Sequence, residues 1–183
     1  MAIIGAVAFL MAVPSLLQMY FGRPKIHVEF RFYEDELNRY LVCEIYNLFV
    51  TRRLLKLLGV RRSTAEDVHG LVSITEEGTK RIILADDPAA IVQQRRQFGY
   101  RVSIPASFQP HSIGLIGQTK SDRSVEIMHE TKRRPIAAGF YIAHVKIIET
   151  DNVIEASTKF EVGEKPSLQT SGEAHDPAPE VHP

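Results

Sequence analysis

An alternation of apolar and polar side chains recurs along most of this chain and constrains its fold more than any other feature. It is clearest between Lys25 and Tyr33, where the side chains of Ile26, Val28, Phe30 and Phe32 share one face. A period of two residues is typical of a half-buried β-strand. A second alternating segment, residues 39–46, follows the turn-forming residues 34–36. The two segments are therefore predicted to form a β-hairpin.

The same pattern predicts further strands along the rest of the chain. They lie at residues 68–74, 79–84, 100–104, 113–116, 124–128, 140–149 and 153–162. Turn residues at 76–78, 120–123 and 150–152 join neighbouring strands as hairpins. Many short strands at regular spacing indicate an all-β fold, specifically an antiparallel β-sandwich, rather than an α/β fold.

Two segments depart from the period of two and predict one or two short helices. The first lies between Thr51, a possible N-cap, and Gly59, a possible left-handed stop. The second covers residues 89–98, because Asp86-Asp87-Pro88 offers a helix start and Gly99 a helix end.

The motif Ala138-Gly139-Phe140-Tyr141-Ile142-Ala143 resembles the start of strand F in immunoglobulin-like domains. In that comparison, Tyr141 is the tyrosine that forms the corner hydrogen bond, and Cys43 stands where strand B carries its cysteine. Ala143 replaces the second cysteine, and the chain has no tryptophan for the usual position in strand C. The resemblance implies an immunoglobulin-like sandwich over residues 25–163 and implies no activity.

Residues 1–22 are uncharged and almost wholly apolar, and Arg23 and Lys25 follow at once. At about 1.5 Å per residue, a helix of this length spans the roughly 30 Å hydrocarbon core of a bilayer. A cleaved signal peptide would carry a basic residue before the apolar run, and none is present. It would also end in small residues at a cleavage site, whereas residues 14–21 are mostly bulky, so cleavage is the less favoured alternative. A helix that packs on a protein core would show one polar face, and this segment does not. The segment is therefore predicted to be a transmembrane helix preceding the sandwich and contacting the lipid bilayer.

The basic residues of the chain all follow this anchor, beginning with Arg23 and Lys25. Because Lys and Arg are retained on the cytoplasmic side, the body is expected in the cytoplasm and the N-terminus outside. An exported cell-envelope protein of the same fold is the alternative. The chain then divides into an anchor at 1–22, a β-sandwich domain at 23–163 and a tail at 164–183. The tail is rich in Pro and poor in large apolar residues, so disorder is expected.

The 22 basic and 22 acidic residues balance, which argues against a nucleic-acid partner. Four clusters of basic residues stand out, at 52–53, 61–62, 95–96 and 132–134. Solvated loops are their ordinary explanation. The sharper hypothesis is that some of them face anionic lipid headgroups.

No catalytic, cofactor or metal site is predicted. His27 and Glu29 share one face of a strand, which suggests a metal-binding or enzymatic module as the alternative function. The other histidines are too scattered to complete a ligand set, and the acidic pairs lie where turns and caps need them. Cys43, the only cysteine, excludes an intrachain disulfide and is expected to point into the core. The main hypothesis is a non-enzymatic, single-pass membrane protein whose sandwich binds or scaffolds an unidentified protein partner at the membrane surface.

Overall fold

The computed structural model describes residues 2–50, 53–93, 96–119, 125–128, 134–150, 152–163 and 168–170. These residues form two helices, α1 (Ala2–Phe21) and α2 (Arg53–Leu57), and thirteen strands. The strands are β1 (Ile26–Glu34), β2 (Asn38–Asn47), β3 (Ala65–Glu76), β4 (Ile82–Ala89), β5 (Ile91–Gln93), β6 (Arg96–Gly99), β7 (Val102–Ile104), β8 (His111–Thr119), β9 (Val125–Ile127), β10 (Arg134–Pro135), β11 (Gly139–Glu149), β12 (Asn152–Val162) and β13 (Leu168–Thr170).

The strands form two antiparallel sheets. The first has the order β1-β2-β8-β5-β6, with β9 beside β8 and β10 beside β9. The second has the order β13-β12-β11-β3-β4, with β7 beside the first residues of β3. The hairpins β1-β2, β3-β4 and β11-β12 are confirmed, and so is the all-β class. The predicted turn at 120–123 lies outside the described residues.

One hydrophobic core joins the two sheets. It contains Leu41 and Ile45 from the first sheet and Ile74 and Phe160 from the second, all fully buried. The sheets approach each other closely at Gly70, where an added Cβ would lie 2.5 Å from Cδ1 of Ile113 in the opposite sheet. In β1, β2, β3 and β12, the alternation read from the sequence therefore places the correct face of the strand inside.

The helix predicted at residues 89–98 is wrong, because the described residues of this segment lie almost entirely in β4, β5 and β6. Asp87 and Pro88 belong to β4 and lie opposite Val72 and Leu71 of β3. The apparent helix start is a bulge, where Asp86 has a φ of 42° and its N–H donates to Ser73 Oγ at 2.9 Å. Pro88 is tolerated since β4 is the edge strand of its sheet and one missing donor can face solvent.

The helix predicted between residues 51 and 59 is confirmed as α2. Gly59 has a φ of 75°, the left-handed conformation that ends a helix, and its N–H donates to Lys56 O at 3.0 Å. The proposed cap at Thr51 lies outside the described residues.

At the other end of the chain, β13 falls within the tail expected to be disordered and pairs with Phe160–Val162 of β12. The prediction of disorder rested on composition, which does not reveal that a segment can pair with the free edge of a strand. The rest of the tail lies outside the described residues.

α1 contacts the body through its last turn. Gln18 Nε2 donates to Arg61 O at 2.8 Å, and the Arg61 N–H donates to Gln18 Oε1 at 3.0 Å. Gly22 O accepts from the Ser63 N–H at 2.7 Å, and Leu17 packs on a small core that includes Leu55. The side chains of α1 are described from Ala12 onward. Among the described residues, no helix is both long and apolar enough to cross a lipid bilayer.

Tyr141 forms the corner contact that the sequence motif predicts. Its hydroxyl donates to Ala137 O at 2.9 Å, four residues upstream, and its ring stacks on Phe160 at 5.5 Å between centroids. The hydrogen bond thus fixes the start of β11 against the preceding loop.

Removing this hydroxyl in Tyr141→Phe is expected to lower the free energy of unfolding by about 1 kcal/mol, the usual net value of one hydrogen bond. The measurement is urea unfolding of the full chain in detergent micelles, followed by circular dichroism. Tyr100→Phe, at an exposed position, is the matched control and should change stability by less than about 0.5 kcal/mol. Equal losses in the two variants would contradict the structural role of the corner bond.

Candidate functional site

The outer face of the β1-β2 hairpin carries the most unusual polar arrangement among the described residues. Antiparallel register places Glu29 directly opposite Glu44, and Tyr33 opposite Tyr40. Both glutamates point away from the core, yet the Glu44 side chain is only 3% exposed. A buried carboxylate on the solvent side of a sheet requires polar partners to offset its desolvation.

Three side chains supply those partners. Arg31 Nε lies 3.0 Å from a Glu44 carboxylate oxygen, and the hydroxyls of Tyr33 and Tyr46 each donate to Glu44. Arg31 also reaches Glu29, with its Nη2 donating at 3.0 Å. We call Arg31, Tyr33, Glu44 and Tyr46 the Glu44 cluster. Because three donors engage both oxygens of the carboxylate, Glu44 orients its neighbours and is poorly placed to act as a general base.

The pKa values of the donors reflect this environment. Burial, followed by the hydrogen bond to Glu44, raises the pKa of Tyr46 to about 12. The pKa of Tyr33 is raised chiefly by its hydrogen bond to Glu44, and that of Arg31 chiefly by its hydrogen bond to Glu29. All three groups therefore keep their protons at neutral pH, which preserves the donor pattern around Glu44.

The pH dependence of unfolding in alkaline solution should reveal the raised pKa of Tyr46. A phenol whose pKa is higher in the folded state stabilises the fold below its ordinary pKa of 10, and this contribution is lost as the pH rises from 10 to about 12. The stability difference between the wild type and Tyr46→Phe should be constant below pH 10 and should shrink above it. Urea unfolding at a series of pH values measures the difference. A difference that stays constant to pH 12 would contradict the assignment.

The cluster lies in an open groove of about 730 Å³. We call this the Glu44 groove, defined by the cluster together with Lys25, Lys56, Arg62, Phe49 and Phe108. The rings of Phe49 and Phe108 lie 4.5 Å apart, and Phe108 is largely exposed. Neither Lys25 nor Lys56 forms an ion pair with a described carboxylate. The groove thus combines a rigid polar floor, an aromatic edge and two available ammonium groups.

The pair singled out by the sequence, His27 and Glu29, lies on the exposed wall of this groove. Both residues also border a second groove of about 900 Å³ on the other side of β1, which contains His144 and Lys146. Within the described ranges, no three His, Cys, Asp or Glu side chains come together in a way that could hold a metal ion. His129 lies outside those ranges.

Cys43 is fully buried in the core, as predicted. Burial, with a smaller contribution from the charge of Glu44, raises the pKa of its thiol far above the ordinary range. A thiol that remains protonated and inaccessible packs as a small apolar group and is not a nucleophile.

Sequence reasoning missed the central residue of the site. The alternation correctly assigned Leu41, Cys43 and Ile45 to the core. It therefore predicted that the Glu44 side chain, on the opposite face, is exposed to solvent. The register of the hairpin could have predicted this site, because a short turn after Glu34 brings Glu29 opposite Glu44 with Arg31 beside both. The chain matches no known family model, no curated protein and no solved structure.

Proposed function

We propose that this protein is a membrane-tethered, non-enzymatic binding module that holds an acidic segment of a partner protein in the Glu44 groove. The observation that carries the proposal is Glu44 itself, a nearly inaccessible carboxylate that holds Arg31, Tyr33 and Tyr46 in place. Rigid Tyr and Arg side chains with little conformational entropy to lose are typical of binding surfaces.

The charges of the groove favour an acidic partner. Arg31 is neutralised by Glu29 and Glu44, whereas Lys25 and Lys56 are available to a ligand. Phe49 and Phe108 offer an apolar contact beside these ammonium groups. A segment that combines carboxylates with an aromatic or aliphatic residue would satisfy both parts of the groove.

The fold and the tether belong to the same proposal. An immunoglobulin-like sandwich is supported by the Tyr141 corner bond and by the core positions of Cys43 and Ala143 in opposite sheets. The tether is supported by the uncharged sequence of residues 1–22, and the basic residues that follow favour a cytoplasmic body. A reporter fused after Pro183 tests this orientation: cytoplasmic activity supports it, and exported activity would instead indicate an envelope protein.

Peptide selection tests the binding function. The probe is a displayed library of random peptides, selected on the full chain held in lipid nanodiscs. We expect enrichment of acidic peptides that contain an aromatic or aliphatic residue. Their binding should fall at least about tenfold in the double variant Lys25→Glu/Lys56→Glu, because two attractive charges become repulsive.

Lys80→Glu is the matched control, since Lys80 is exposed near the β3-β4 turn and outside the groove. It should leave peptide binding unchanged. Selection of peptides without acidic residues, or equal binding by the groove variant and the control, would contradict the proposal.

A further inference from the structure

The outward face of α2 is apolar, which is the reverse of an ordinary surface helix. Leu54, Leu57 and Leu58, the residue directly after α2, are spaced so that they share one side of the helical turn, and they are 68%, 84% and 41% exposed. Leu55 points the other way and packs on a small core with Val50 and Val60. Burial of Leu55 in this small core therefore orients the three other leucines toward the outside of the molecule.

This apolar face lies beside the last turn of α1. The reciprocal bonds between Gln18 and Arg61, together with the bonds from Ser63 to Gly22 O, hold the segment after α2 against the end of α1. Met19 and Tyr20 on that turn are also exposed. The exposed leucines of α2 thus continue an apolar surface that begins on α1.

The chain segments that form this surface are basic. Residues 45–65 contain five basic residues and no acidic residue, although the whole chain is electrically balanced. Residues 1–28 contain two basic residues and no acidic residue. The side chains of Arg53, Lys56 and Arg61 are exposed around the leucines of α2. An apolar centre with a basic margin is complementary to the interface of an anionic bilayer.

We propose that α2 is a second membrane contact, which lies in the interface of an anionic bilayer with Leu54, Leu57 and Leu58 inserted below the headgroups. Arg53 and Arg61 then face the lipid phosphates, whereas Lys56 lies on the side of the Glu44 groove. The inference rests on the proposed tether, which brings α2 to the membrane. Two points of attachment fix the orientation of the β domain, so that the Glu44 groove opens at a defined height above the bilayer.

Depth measurement with a fluorescent probe tests this contact. Leu54→Cys and Leu37→Cys form a matched pair, because both leucines are 68% exposed. Leu37 lies in the β1-β2 turn, at the far end of a nine-residue strand and so roughly 30 Å away from the α2 end. Each variant of the full chain is labelled with an environment-sensitive dye and reconstituted into vesicles that carry a spin-labelled quencher lipid. Unsubstituted chain gives the background, since buried Cys43 is not expected to react.

In vesicles of phosphatidylcholine and phosphatidylglycerol, quenching at position 54 should exceed that at position 37 by at least about threefold. The double substitution Arg53→Gln/Arg61→Gln should reduce quenching at position 54 to the value found in phosphatidylcholine alone. Quenching that is unaffected by these substitutions would overturn the role of anionic lipid.

Flotation of the same samples separates the two proposals. A chain that fails to float with vesicles would overturn both the tether and the α2 contact. A chain that floats but shows equal quenching at positions 54 and 37 would overturn the α2 contact alone.

Discussion

Glu44→Ala is expected to lower the free energy of unfolding by about 2–3 kcal/mol, because three donors lose a charged acceptor at once. The two tyrosine hydroxyls and Arg31 remain partly accessible to water, which limits the loss. The variant should also lose peptide binding, since Arg31, Tyr33 and Tyr46 are no longer held in place. Urea unfolding of the full chain in micelles measures the first effect, and peptide titration in nanodiscs measures the second.

Glu29→Ala is the matched control for Glu44. Glu29 lies opposite Glu44 and is the same 3.0 Å from Arg31, but its side chain is 46% exposed. An exposed ion pair contributes less than about 1 kcal/mol. If the two alanine variants were equally stable, burial of the carboxylate would not be what organises the site.

Phe160→Ala is expected to destabilise the fold by about 3–5 kcal/mol, the usual cost of removing a fully buried aromatic side chain. The cavity would open beside Tyr141, whose ring stacks on Phe160, and would weaken the contact between β11 and β12. The measurement is urea unfolding followed by circular dichroism.

Phe140→Ala provides the comparison, because Phe140 lies on the neighbouring strand but is 53% exposed. Its loss should cost less than about 1 kcal/mol. A similar cost at both positions would show that the alternation of β11 and β12 does not separate core from surface.

The hairpins were predictable because each is a local structure. In β1-β2, β3-β4 and β11-β12, the alternation of side chains and the turn residues between the strands point to the same pairing. The helix predicted after Asp86-Asp87-Pro88 does not form, because these residues, which suit a helix start, occupy a bulge and an edge strand. The deciding interaction there is pairing with β3, and the sequence of the segment does not contain it.

The Glu44 cluster was likewise only partly predictable from the sequence. The alternation placed His27 and Glu29 on an outer face and Cys43 in the core, and both placements hold in the structure. It did not show that Glu44, on the same outer face, is nearly inaccessible. Burial of Glu44 comes from Arg31, Tyr33 and Tyr46 covering it across two strands, which requires the register of the assembled hairpin.

The sequence by itself determined the all-β class, the three hairpins, the inward position of Cys43 and the uncharged segment at residues 1–22, because periodicity and charge are read along the chain. Tertiary structure decided which strands share a sheet, how Glu44 is enclosed, and that the leucines of α2 face outward beside the end of α1. The enclosure of Glu44 depends on the register of the assembled β1-β2 hairpin. The strand order and the exposure of the leucines depend on contacts between residues distant in sequence, which exist only once the two sheets have packed on one core.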